Sequence, residues 1–326
     1  MAQQGKVVAV TGASGYIGTK LLERLEQEPG IRKLVAFDVN PPPVPFHNIA
    51  VYRKNVSESI EDELNDHDAT TLVHLAFNPR RGANRREVDA IRQENLNTLR
   101  SVMASCARAR IRHLVYVSSH TVYGAHSDNP VPITDDAQMR SSSDFPYGYD
   151  KQLCELALEE FGRAQEDVKV TVLRSCIVLG HGADNFITRA FFNPWMLGVA
   201  ENNPPLQFVY DDDLARVMAI IIQREIPGTY NVAGDGVVYY REMAQIIKSR
   251  LINLPSFLAY PVAQLSWQLH VQRDATASGL DLARWPIVMS TGKLHKATGY
   301  RFWHTALEAL TAFANSTYLY KDTVSH

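Results

Sequence analysis

Cysteine is scarce in this chain. Its 326 residues hold only Cys106, Cys154 and Cys176, an odd, widely spaced set without a CxxC, which argues against a disulfide framework or a cysteine-rich zinc site and fits a reducing compartment. Neither sign of charge prevails, with 33 basic against 35 acidic side chains and a formal net charge of -2. Nucleic acid and anionic membrane surfaces are therefore not expected partners, because both demand a basic surplus that displaces counterions. Long apolar runs are also missing: the most apolar stretch, Leu251 to Val271, is broken by Pro255 and Pro261 and carries Asn253, Gln264, Gln268 and His270, so no integral membrane segment is expected. Packing within the protein is the expectation for this stretch, a helix lying on a membrane surface the alternative. The apolar run starting at Lys6 follows Met1 too closely for a signal peptide, which points to the cytoplasm. What the chain does have is 45% hydrophobic residues, enough to bury a core and exclude a disordered polymer, in a length that suits two domains or one domain with an added lobe.

Short apolar runs alternate with helical patterns through the first half. The runs are Lys6–Val10, Lys33–Phe37, Thr71–Leu75, His113–Val117 and Val168–Leu173; the helical stretches include Tyr16–Gln27, Val88–Arg108 and Lys151–Arg163. This alternation predicts βαβ units and an α/β fold of the Rossmann type, a doubly wound parallel sheet covered on both faces. After about Ser175 the alternation gives way to aromatic and proline-containing segments. A first domain over 1–175 is therefore expected, with 176–326 forming mostly a smaller C-terminal lobe. Gln207–Tyr210 and Thr229–Val232 read as strands, so segments near 207–233 are expected to return to the first domain.

The strongest local signal is Val8 to Gly18, an apolar strand followed by Gly12, Gly15 and Gly18 and then an amphipathic helix. Glycines there let the backbone turn sharply and approach a pyrophosphate, whose charge the free N–H groups of the helix N-terminus stabilise. The spacing is GxxGxxG, a variant of the GxGxxG dinucleotide fingerprint. Asp38 ends the second apolar run, where a carboxylate would accept from ribose hydroxyls and repel a 2′-phosphate. NAD is favoured over NADP. The plainer alternative for Asp38 is a turn residue ahead of Asn40-Pro41-Pro42-Pro43.

Tyr147 and Lys151 stand four residues apart at the start of a helical pattern, which puts both on one face, with the ammonium able to favour the phenolate. Tyr16 and Lys20 repeat the spacing inside the glycine loop; position selects Tyr147, because it follows Ser118-Ser-His-Thr-Val-Tyr-Gly124 at the carboxyl end of a sheet strand, where open parallel sheets bind ligands. These residues together resemble the extended short-chain dehydrogenase/reductase superfamily, also called the NAD-dependent epimerase/dehydratase family. Thr11–Gly18, including Tyr16 and Ile17, is similar to its cofactor loop, and His74-Leu75-Ala76 to its fourth-strand motif. Asn95 resembles its nicotinamide-side asparagine, Ser119–Gly124 its serine motif and Tyr147–Lys151 its tyrosine-lysine pair. Later landmarks are Arg174 to Gly180, Phe208 to Asp213 and Gly228 to Ala233.

By that resemblance Tyr147 is the general acid/base, Lys151 lowers its pKa and holds the nicotinamide ribose, and Ser119 hydrogen-bonds the reacting oxygen. Leu75, Ala76 and Cys176 join the cofactor-binding set. Asn55, followed by Val56, stands where the family has its adenine-side aspartate. Cys154 and Cys176 read as packing residues rather than nucleophiles. A homodimer through the two long helices is also implied.

For the substrate, the residues point away from a nucleotide sugar. Relatives acting on such substrates carry an asparagine and an arginine where this chain has Ile177 and Leu206. Replacement charge could come from Arg80, Arg81, Arg85, Arg86 or Arg189, although a basic loop is more often a solvated face. The aromatics Phe186, Phe191, Phe192 and Trp195, with Leu254 to Trp267, would suit an apolar ring or ketone, or else core packing. His120 and Thr121 occupy the positions of the acidic pair of 4,6-dehydratases, which disfavours dehydration. The reading is an NAD-dependent oxidoreductase acting on a secondary alcohol or ketone, small-molecule in substrate. The alternatives are an isomerase that retains NAD, like a UDP-glucose 4-epimerase, and a non-catalytic NAD-binding regulator.

Overall fold

The computed structural model describes residues 5–80, 82, 84–181, 183, 188, 191, 195–268 and 277–324. The elements of its first half are β1 (Lys6–Thr11), α1 (Tyr16–Glu26), β2 (Ile31–Asp38), β3 (Ile49–Arg53), α2 (Glu61–Asp66), β4 (Thr71–His74), α3 (Arg85–Arg108), β5 (His113–Ser119), α4 (Pro146–Ala164) and β6 (Lys169–Ser175). A single 3-10 turn, His120–Tyr123, follows β5. The second half brings β7 (Ile177–Leu179), β8 (Trp195–Val199), β9 (Pro205–Leu206), β10 (Phe208–Tyr210), α5 (Asp211–Arg224), β11 (Gly228–Val232), β12 (Val238–Tyr239), α6 (Tyr240–Ile246), β13 (Arg250–Leu254), α7 (Ser256–Gln268), α8 (Gly292–Thr298) and α9 (Ala306–Val324).

Seven strands form the main sheet in the order β11-β6-β5-β4-β1-β2-β3, every neighbouring pair parallel. The order reverses between β1 and β4, whose carboxyl ends lie side by side with Thr11 opposite His74. That is the crevice where such sheets bind ligands. Both faces are covered, and the period-two alternation of β1 shows how. Val8 and Val10 pack with Leu21, Leu22 and Leu25 of α1 and Val217 and Ile221 of α5. Val7 and Ala9 pack on the opposite face with Leu96, Leu99 and Val102 of α3 and Leu158 of α4. Strands buried on both faces are apolar throughout, as β4 and β5 are along their centres.

Of the two later strand readings, Thr229–Val232 lies in β11 and pairs with β6 in the main sheet. Gln207–Tyr210 does not join that sheet: Phe208–Tyr210 pairs with β7 in a separate two-stranded sheet. A further cluster around Phe208, Leu310 and Phe313 packs this C-terminal half.

A buried polar network ties the halves together. Arg174 on β6 and Glu155 on α4 form an ion pair at 2.8 Å, with side-chain exposures of only 8% and 4%. Ser118 of β5 donates to the same carboxylate. Arg174 Nη1 donates to the Tyr123 hydroxyl and the Asp135 carbonyl, each at 2.9 Å, and Tyr123 in turn donates to Asn231 of β11 at 2.7 Å. Removing one partner leaves a charge buried without compensation. Arg174→Met is expected to lower the unfolding free energy by about 3–5 kcal/mol, read from the urea midpoint; a change below 1 kcal/mol would show that water reaches Glu155.

Candidate active site

The loop from β1 to α1 is shaped by close approaches that leave no room for side chains. Gly12 has φ +68, and a Cβ there would stand 2.6 Å from the Ala76 backbone nitrogen; at Gly18 a Cβ would meet the Gly12 carbonyl oxygen at 2.2 Å. Gly15 caps α1 in extended conformation, with no side chain over the first-turn N–H groups. Those groups are oriented for an anion. Beside them lies a cavity of ≈ 310 Å³ lined by Gly12, Gly15, Asp38, Asn55, Val56, Leu75, Ala76 and Asn95, among others.

Asp38 holds the loop as well as facing this cavity. It accepts from Ser14 N and from Asn40 N, both at 3.0 Å, so the turn role and the cleft position coexist, and a carboxylate with about four acceptor sites keeps some for a ligand. Asn95 is buried, and both ends of its amide engage the Asn78 backbone: Asn78 N donates to it at 2.8 Å and it donates to Asn78 O at 3.0 Å. Its work in this structure is to fix the loop after β4. Asn55 accepts from Ser57 N at 3.0 Å in a local turn.

A second cavity of ≈ 730 Å³ opens on the same glycines and is lined by Tyr16, Ile17, Gly18, Phe77, Ser119, His120, Tyr147, Lys151, Cys176 and Ile177 among others. The three candidate catalytic side chains thus meet in one space, Ser119 from the end of β5 and the other two from the first turns of α4. The Arg92 guanidinium of α3 holds α4 in place through Asp150 at 2.7 Å. Ser119 Oγ accepts from Thr121 N at 3.2 Å and from the Thr121 hydroxyl at 2.9 Å. Tyr147 is pushed up to about 12 by burial, which its hydrogen bond with Ser119 partly offsets. Lys151 is pulled down to about 8, again by burial, opposed by Cys154 and Glu155.

The resemblance gives Lys151 the role of lowering the Tyr147 pKa; in this structure its ammonium is engaged by other groups. The ammonium donates to Val117 O at 2.9 Å and to the Tyr116 hydroxyl at 3.2 Å, and lies 4.0 Å over the Phe77 ring and 4.6 Å over that of Tyr116. Burial of the phenol pushes Tyr147 in the opposite direction. Phe77 and Tyr116 were not singled out from the sequence. Tyr116 is one residue before Val117 on a strand already placed at the site, so strand alternation could have put it on the α4 face.

Tyr16 and Lys20, the duplicate spacing, do other work. The Tyr16 hydroxyl donates to Asp211 of α5 at 2.6 Å, and Lys20 pairs with Glu23 on the surface. His120 is pulled down to about 4 by burial despite a hydrogen bond to the Ser175 backbone, which keeps it neutral. Burial likewise pushes up the thiols of Cys154 and Cys176, and all three cysteines are free and buried. Of the positions weighed for the substrate, Arg80 and the aliphatic Ile177 line the larger cavity, whereas Leu206 sits in β9. Phe191 packs against Phe208 and Phe313 as core, while Trp195 is 65% exposed. Arg81, Phe186, Arg189 and Phe192 lie outside the described residues. Among the described residues no cluster suited to a metal ion occurs, and no helix is long and apolar enough to cross a membrane.

Comparison with known proteins places these features in context. The model of the NAD dependent epimerase/dehydratase family matches residues 8–233. An uncharacterized protein of Mycobacterium tuberculosis, Rv0501, is 25% identical over 321 residues, covering 94% of this chain and 83% of its own. The UDP-glucose 4-epimerase of Caenorhabditis elegans is 25% identical over 230 residues, 68% of this chain and 64% of that protein. Among solved structures, the UDP-glucose-4-epimerase of Stenotrophomonas maltophila with bound NAD and formylated UDP-arabinopyranose shares the fold at a TM-score of 0.73 and 15% identity, over 98% of this chain and 99% of that one.

The depressed pKa of Lys151 has a measurable sign. Below about 8 the folded chain carries a buried ammonium; between about 8 and the ordinary 10.5 the folded chain has shed that proton while the unfolded chain keeps it. The unfolded state then binds more protons, so stability rises with pH across that window. Relative to Lys151→Met, the unsubstituted protein is expected to gain unfolding free energy from pH 8 to pH 10, followed by chemical denaturation. A flat difference would show that the ammonium is solvated.

Proposed function

Because the chain belongs to the NAD dependent epimerase/dehydratase family, we propose that it is an NAD-dependent enzyme moving hydride to or from a secondary alcohol or ketone carbon of a small molecule. Ser119, Tyr147 and Lys151 are its working groups. The observation that carries this reading is the shared cavity, in which all three line the same ≈ 730 Å³ as the glycine loop.

The residues fit the cofactor. Gly12 and Gly18 allow the tight loop, the open first turn of α1 offers N–H groups to a pyrophosphate, and Asp38 presents acceptors suited to ribose hydroxyls. NAD, when bound, supplies a carbon that accepts or returns hydride. Burial pushes Tyr147 up to about 12, so at neutral pH it is a phenol that can give its proton to a ketone oxygen as hydride reaches the carbon; the reverse oxidation needs the phenolate, which takes the alcohol proton as hydride leaves. Ser119 stands beside the phenol and orients the same oxygen. Lys151, charged at neutral pH, is read as the group that holds the cofactor ribose.

A second reading, in which NAD stays bound and returns the hydride to the same sugar, draws on the relatives named UDP-glucose 4-epimerase. Ile177 in the cavity wall weighs against it, because an aliphatic group offers a diphosphate neither hydrogen bond nor charge. Neutral His120 and Thr121 at the turn after Ser119 leave no acid pair for dehydration.

Tyr147→Phe is expected to lower turnover by about 10²–10⁴-fold with NAD affinity little changed. The checks are NADH absorbance with a panel of secondary alcohols and ketones, and interconversion of UDP-glucose and UDP-galactose. Undiminished turnover would remove Tyr147 from the chemistry. Protein purified without added nucleotide and then denatured is expected to release far less than one NAD per chain; a stoichiometric yield would favour the epimerase reading.

A further inference from the structure

Where Lys151 lines the cofactor cleft, an aromatic ring lies against its ammonium. An ammonium carries three donors and no acceptor. Those of Lys151 meet Val117 O at 2.9 Å and Tyr116 OH at 3.2 Å, and the Phe77 ring lies across the remaining side at 4.0 Å. The same ring stands edge-on to Tyr147, centroids 5.7 Å apart and planes at 89°. Phe77 lines the 310 Å³ cavity that holds Asp38 and Asn55 and also the 730 Å³ cavity that holds Tyr147. A dinucleotide reaching from one to the other passes this ring.

We infer that Phe77 is a gate on the cofactor: its ring competes with the NAD ribose for the ammonium of Lys151 and turns aside when NAD binds. The inference rests on the reading of Lys151 as the ribose-holding group. The motion is a side-chain rotation rather than a loop opening, because the next residue is fixed. Asn78 is held at both backbone atoms by buried Asn95 and through its amide by Glu94 at 2.8 Å. An aromatic face stabilises a partly desolvated ammonium enough to shift a competing equilibrium several-fold.

The sign of the effect separates a gate from a contact surface. NAD is titrated calorimetrically into the full chain freed of nucleotide. Phe77→Leu, which keeps bulk but removes the aromatic face, is expected to bind NAD about 2- to 30-fold tighter, and Phe77→Tyr, which keeps the face, to bind as the unsubstituted protein does. Phe77→Met serves as a second apolar replacement should the leucine variant fail to fold. In a Lys151→Met background the gain from Phe77→Leu is expected to vanish, since the competition needs both groups. Weaker or unchanged NAD binding by Phe77→Leu, with Lys151→Met still weakening it, overturns the gate alone. Unchanged binding by Lys151→Met overturns the ribose-holding role as well.

Discussion

Arg174 and Glu155 face each other where there is almost no water, and an isolated charge in that position would be prohibitively unfavourable. The guanidinium therefore has one acceptable arrangement, with both Nε and Nη2 on the carboxylate and Nη1 on Tyr123 and Asp135. That arrangement fixes relative positions along three strands and a helix. Glu155 lies one turn beyond Lys151 on α4, Ser118 precedes Ser119 on β5, and Tyr123 closes the turn that orients Thr121. The candidate catalytic side chains stand on elements whose mutual geometry this ion pair dictates, although none of them belongs to it.

Around that frame the site is crowded with polar groups already engaged by the protein. Asn95 holds a loop, Asp38 holds a turn, Tyr16 reaches Asp211, and Lys151 is surrounded by a carbonyl, a hydroxyl and two rings. A ligand must therefore exchange partners as well as add them. Such a site discriminates by what it gives up, and preorganised donors lose little freedom when the exchange occurs.

The sheet was legible because its physics is periodic. Thr71–Leu75 and His113–Val117 are mostly apolar and their strands are buried at every position, as central parallel strands are, and Gly12 and Gly18 mark a turn with no room for a side chain. β3 escaped notice because it is an edge strand with Val51 and Arg53 exposed, so neither alternation nor continuous burial stands out. α3 begins at Arg85, ahead of the apolar pattern at Val88, because Asn84 accepts from Glu87 N at 3.0 Å and a capped charged turn needs no core. The carboxyl end of β5 and the start of α4 did bring Ser119, Tyr147 and Lys151 together as their types suggest. The electrostatics were not legible: that burial pushes the Tyr147 phenol up, and that Phe77 faces Lys151, depend on packing between residues far apart in the chain.

The main sheet is completed by β11, which arrives only after the whole excursion from Ser175 to Gly228. During synthesis β1 to β6 emerge first and can pair, while β6 presents a row of unpaired amides and carbonyls. Arg174 on that bare strand meanwhile waits for Asn231 to complete the network around Tyr123. Until Val232 has left the ribosome the nascent sheet thus ends in an open strand edge, the kind of surface that pairs with other chains.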